Sequence, residues 1–81
     1  MTDVEQEIQR RLFAAQDLKY RDFQRKLLPT LPPEAVIGVR IPQLRAMARE
    51  LDRSDLGAAF LQCLPHRYYE ENNLHAYLIE R

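Results

Sequence analysis

Two glycines in 81 residues, Gly38 and Gly57, leave no room for the glycine-rich loop that cradles a phosphate. A single cysteine, Cys63, cannot form an internal disulfide and points to a reducing compartment. No apolar run approaches the ~18 residues that a membrane helix needs, and no charged-then-apolar leader opens the chain. A cytoplasmic protein with no membrane partner is therefore expected. Neither sign of charge prevails, since 12 Lys and Arg face 12 Asp and Glu. A zero sum excludes no nucleic-acid partner, because local patches act before the total does. Strict alternation of apolar and polar residues persists nowhere, which leaves no candidate strand.

The apolar content of 46% and charged content of 30% are ordinary for a globular protein. At this length the chain is one domain at most, near the lower limit for a self-sufficient core. Its charge is uneven. Residues 19–53 hold eight basic and four acidic side chains, a net of +4, while the segments on either side each carry a net of −2. The positive charge belongs to the middle third.

The chain is organised around Ile37-Gly38-Val39-Arg40-Ile41-Pro42-Gln43-Leu44-Arg45. Gly38 supplies permissive backbone, Ile41 is pushed towards extended geometry by the proline after it, and Pro42 suits a first helical turn. Leu44, Met47, Ala48 and Leu51 then fall on one face of a 3.6-residue period. The spacing predicts four more helices. Thr2, Asp3 and Glu5 suit a helix start, and Val4, Ile8, Leu12 and Ala15 form a stripe that Phe13 can widen. Tyr20, Phe23, Leu27 and Leu28 begin a second, shorter helix, ended by the loop Pro29-Thr30-Leu31-Pro32-Pro33. Ser54 and Asp55 cap a fourth, with Leu56, Ala59, Phe60, Cys63 and Leu64 as its apolar face and Pro65 as its stop. A fifth starts near Arg67 and runs through Ile79. The fold class is all-α, with about five helices. The chain reaches Arg81 with the helical pattern of Leu78-Ile79-Glu80 still strong and no capping device. We therefore expect a longer protein continuing past Arg81, with self-association of the isolated chain through the face of Leu74, Leu78 and Ile79; the alternative is a last helix that docks back and frays at its end.

Two constellations carry chemistry. In the first, Glu71 and His75 lie four apart, with Glu70, Asn72, Asn73 and His66 close in sequence. Two carboxylates and two histidines suit a metal or a proton relay, but the spacing matches no metal signature. The reading adopted is a structural polar network of Glu71, Asn72 and His75 that fixes helix register, with no metal and no other cofactor. In the second, Arg45, Arg49 and Arg53 recur every four residues, with Arg40, Arg21, Arg25 and Lys26 near in sequence. Such a line meets a phosphate backbone, or else forms a solvated face paired with Glu50 and Asp52. Tyr20, Phe23, Tyr68, Tyr69 and Tyr77 can stack on bases or pack in the core. Cys63 sits within an apolar stripe, where a thiol packs as a small hydrophobe. No catalytic residue is assigned.

Val36-Ile37-Gly38-Val39-Arg40-Ile41-Pro42-Gln43-Leu44-Arg45 resembles the joint near the N-terminus of the DNA alkylation repair proteins. These are bacterial DNA glycosylases built from HEAT-like helix pairs. Leu64-Pro65-His66-Arg67-Tyr68-Tyr69-Glu70-Glu71-Asn72-Asn73-Leu74-His75-Ala76-Tyr77-Leu78-Ile79 is similar to their next helix-pair segment. The two motifs lie in the family's order, and with the helices before them the resemblance covers most of the chain.

The resemblance implies an α-solenoid of antiparallel helix pairs whose basic concave face grips double-stranded, alkylated DNA through its phosphates. The family excises alkylated purines without a metal, using an acid and tryptophans on later helices. Those positions would lie past Arg81, in keeping with the lack of tryptophan here. What carries over is scaffold and phosphate contacts by Arg40, Arg45 and Arg49, with Tyr20 or Phe23 as the counterpart of an early-helix tyrosine on the DNA face. Whether the parent is an active enzyme stays open at this point. The alternative is a HEAT-like protein-interaction module with no DNA role.

Overall fold

The computed structural model describes residues 3–80. Among them are five α-helices, one 3-10 turn and no strand. The helices are α1 (Asp3–Ala14), α2 (Leu18–Leu27), α3 (Ile41–Leu51), α4 (Asp55–Leu61) and α5 (Tyr69–Glu80), with the 3-10 turn at Pro33–Ala35 inside the proline-rich loop. The capping role expected of Thr2 and the end at Arg81 lie outside the described residues. No helix among the described residues is long and apolar enough to cross a membrane.

Burial of the expected apolar stripes makes the core. Ile8 and Leu12 from α1 meet Leu44, Ala48 and Leu51 from α3, Phe60 from α4, and Leu74 and Leu78 from α5. Helix α3 packs on α5 and α4, and α1 packs on α4 and α5. Gly57 lets α4 begin tight against the end of α3, since a Cβ there would collide with the Leu51 carbonyl oxygen. Because Leu74 and Leu78 are covered within the chain, the face expected to need a partner is reduced to Ile79, which is 66% exposed.

Helix α2 departs from its expected pattern. It buries none of its residues, and Phe23 and Leu27 are 56% and 58% exposed. The side turned inward carries arginines instead. Arg21 presses its Cβ and backbone on Gly38, and Arg25 donates from Nη2 to the Val36 carbonyl at 3.4 Å. What α2 covers is the polar backbone of the segment before α3, which calls for donors rather than apolar side chains.

That segment, 36–40, is extended and buried as far as Val39. Its backbone groups find partners one by one, as buried amides must. The Ile37 and Gly38 N–H groups both donate to the Glu70 carboxylate at 2.9 Å. The Ile37 carbonyl accepts from Gln16 Nε2 at 2.9 Å, and the Gly38 carbonyl from the Asp17 N–H at 2.8 Å. Gly38 has φ +92°, and a Cβ there would lie 2.6 Å from the Arg21 Cα. No other residue type suits this position.

Helix α4 ends at Leu61, short of Pro65. Proline disfavours helical geometry in the residue before it, so the turn unwinds ahead of Leu64, which is left 64% exposed. The place over Phe60 expected for an apolar residue of that turn is taken by the His66 ring, stacked at 4.4 Å. Helix α5 then starts at Tyr69. Glu71, its third residue, accepts the Tyr68 N–H at 3.0 Å, which is one half of a capping box.

Two substitutions check this account. Glu70→Ala would leave two buried N–H groups without an acceptor and lower unfolding stability by about 2–5 kcal/mol. Gly38→Ala would cost about 1–2 kcal/mol from the left-handed backbone alone, before the collision with Arg21. Urea unfolding midpoints measure both, and a Glu70→Ala variant as stable as the parent would refute the clamp.

Candidate nucleic-acid interface

Arg45 and Arg49 sit one turn apart on the exposed flank of α3, beside its buried stripe of Leu44, Ala48 and Leu51. Neither makes an ion pair among the described residues, so the pairing with Glu50 or Asp52 weighed from the sequence is not the one adopted. The Arg45 guanidinium instead lies over the Tyr77 ring of α5, 5.2 Å from its centroid. Together Arg45, Ala48, Arg49, Tyr77 and Glu80 line an open cleft of about 220 Å³. Arg53 does not extend the line. Helix α3 stops at Leu51, and Arg53 follows in the turn, with its N–H on the Glu50 carbonyl at 3.2 Å.

Arg40 and Tyr20 are brought together elsewhere. Asp17 caps α2 by accepting the Tyr20 N–H at 3.0 Å, and its other carboxylate oxygen accepts Arg40 Nε at 3.0 Å. The Arg40 guanidinium lies over the Tyr20 ring at 4.9 Å, and Tyr20 Oη accepts from Gln24 at 2.5 Å. The Tyr20 N–H first, and the Arg40 guanidinium second, hold the Asp17 carboxyl below the usual carboxylate range. Arg40 and Tyr20 thus join the starts of α2 and α3, and one face of the ring is already covered. Phe23 stands exposed nearby, tilted against Tyr20 at 6.5 Å.

The polar residues of α5 divide between separate partners. Glu71 is buried against Tyr68 and receives Gln9 Nε2 of α1 at 3.4 Å. Asn72 donates to the Tyr68 carbonyl at 3.3 Å from an exposed position. His75 turns to His66, with Nδ1 and Nε2 2.8 Å apart, rather than to Glu71. No group of three or more His, Cys, Asp or Glu among the described residues could hold a metal ion. Cys63 is half-buried and directs its thiol to the Ala59 carbonyl at 3.4 Å.

Asp17, Gln9 and Tyr77 were not singled out for these roles by sequence reasoning. Asp17 precedes α2 as a capping residue should, and that signal was available. Gln9 and Tyr77 meet partners far along the chain, for which no local spacing exists. No protein-family model matches the chain, and no curated protein or solved structure matches it either.

Burial pushes the Glu71 carboxyl up, against the opposing pull of its bonds from Tyr68 and Gln9. A raised folded-state value means the folded chain binds this proton first, so Glu71 adds stability as pH falls through the raised value. Glu71→Gln, which keeps one acceptor oxygen and removes the charge, should therefore leave the protein at least as stable as the parent at pH 7. The advantage should shrink towards pH 4. Thermal melts of both proteins across that range measure it, and a loss of stability at pH 7 would contradict it.

Proposed function

We propose that this chain is the N-terminal helical-repeat portion of a DNA alkylation repair protein and that it holds the phosphates of a DNA duplex through α3. The observation that carries this reading is the pair Arg45 and Arg49, two guanidiniums with no ion pair among the described residues that open onto one cleft. A duplex presents phosphates in dense array, and cations of this kind bind them without reading sequence. The resemblance supports it from the other side. Its two motifs are the extended segment with the start of α3, residues 36–45, and the turn with most of α5, residues 64–79, and these meet at the Glu70 clamp.

In this reading the helices form a HEAT-like α-solenoid, and excision of the alkylated purine belongs to the full-length family member. The chain supplies scaffold and phosphate contacts, excises no base alone, and uses neither metal nor cofactor. Arg40 contributes less than its charge suggests, because Asp17 already offsets it. One observation favours the protein-interaction alternative: α2 leaves Leu18, Phe23 and Leu27 exposed together.

Fluorescence anisotropy of a labelled duplex between ~50 and ~200 mM salt separates the two, because phosphate contacts make affinity fall steeply with salt. Affinity should fall linearly on a log–log plot, and Arg45→Ala and Arg49→Ala should each lower the slope by about one. Arg40→Ala should change it less. No binding, or an unchanged slope in the Arg45→Ala/Arg49→Ala double variant, would overturn the proposal.

A further inference from the structure

The turn between α4 and α5 carries a histidine pair that the nucleic-acid reading does not use. His66 Nε2 and His75 Nδ1 are 2.8 Å apart, and the His66 ring is stacked at 4.4 Å and 16° on Phe60, a fully buried core residue. His66 Nδ1 lies buried and has no hydrogen-bond partner among the described residues. These three facts restrict where protons can sit.

Two neutral imidazoles share this contact if one nitrogen donates and the other accepts. With His66 protonated on Nε2 and His75 on Nε2, the 2.8 Å contact is an N–H···N bond and the buried His66 Nδ1 is a bare lone pair. The other neutral arrangement puts the His66 proton on Nδ1, where the described residues offer no acceptor, and a buried N–H left orphaned is rarer than an orphaned acceptor. A third proton on the pair always meets the same obstacle. If it goes to His66, it goes to Nδ1. If it goes to His75, the bond survives once His66 Nε2 accepts, and this again sends the His66 proton to Nδ1. A fourth proton sets two N–H groups against each other at 2.8 Å.

We propose that His66 and His75 form a proton-operated latch, closed while both rings are neutral, that releases the turn from Phe60 and from α5 when the pair takes up a proton. The charged groups around His66 are Glu5 on α1, which favours the cation, and His75 on α5, which opposes it, while α4 presents the uncharged Phe60 ring. Burial, the largest influence, and His75 together keep the His66 imidazole below its ordinary 6.5. A lowered folded-state value makes the closed pair fully stabilising above pH 6.5, and this contribution is lost as pH falls below it. Glu71 titrates in the opposite sense, so local probes are needed rather than a global melt.

Long-range proton–nitrogen NMR on the intact chain reads the tautomers directly. Both rings should carry their proton on Nε2 near neutral pH, and His66 should titrate below 6.5. Amide hydrogen exchange, corrected for its intrinsic pH dependence, should then show residues 66–72 losing about tenfold or more in protection between pH 7 and pH 5. A His66→Gln/His75→Gln double variant should lose that pH dependence. Titration of His66 at or above 6.5, or a double variant with the same acid-induced opening, would overturn the latch. The tautomer and titration measurements need no variant, so the proposal stays testable even if the double variant does not fold.

Discussion

The carboxylate of Glu70, buried and facing two backbone amides, is the constraint on which the arrangement of the chain depends. The 36–39 segment runs through the interior extended, without a neighbouring strand to satisfy it. Water cannot reach it, so each of its polar groups needs a partner from another element. A carboxylate is the side chain that can serve Ile37 and Gly38 at once, because both of its oxygens accept. An amide would turn one donor towards a donor. The charge is tolerated there because two N–H groups replace the water it gives up. Glu70 lies in the first turn of α5, so the same pair of bonds sets the depth at which α5 docks and the angle from which α3 departs.

Around that clamp the molecule is held by two kinds of force. Helices α1, α3, α4 and α5 bury apolar faces against one another. Helix α2 is attached by polar contacts instead. Asp17 contributes three bonds, its N–H to Gly38 and its two oxygens to Tyr20 and Arg40, and Arg21 and Arg25 close over the buried segment. Helices with few buried apolar contacts open at lower free energy than the core, which puts α2 at the labile end of this structure. The division also sorts the cations. Arg21, Arg25 and Arg40 are spent on holding α2, whereas Arg45 and Arg49 make no ion pair among the described residues.

The helices legible from sequence are those whose position is set by apolar burial. Ile8 and Leu12, Leu44, Ala48 and Leu51, and Leu74 and Leu78 all repeat with the helical period, and all are buried. The same reasoning fails for α2 because Tyr20, Phe23 and Leu27 imitate a buried stripe while the inward side answers to the hydrogen-bonding needs of a distant backbone. It fails at the end of α4 because a histidine ring, not the next apolar residue, covers Phe60. In the candidate site, Arg45 and Arg49 could be paired by their spacing, but not Arg45 with Tyr77. Nor does adjacency reveal that Glu70 and Glu71 diverge, one to residues 32 and 33 positions away and the other to residue 9. Periodicity reports which side of a helix is greasy. It carries no information about which far-off donor a buried acid will meet.

Helix α5 connects these local arrangements into one. Its first turn holds the segment that launches α3, through Glu70. Its middle carries His75, bonded to the turn that precedes it. Two residues further on, Tyr77 lies beneath the guanidinium of Arg45. A helix with its backbone ladder intact moves as a unit, so tilting α5 at its start displaces Tyr77 at its end. The seat of Tyr77 beneath Arg45 thus rests on a histidine pair and a buried glutamate that touch neither α3 arginine. Changes at those residues reach the cleft through the seat of α5, so the geometry of the cleft cannot be separated from the packing of the core.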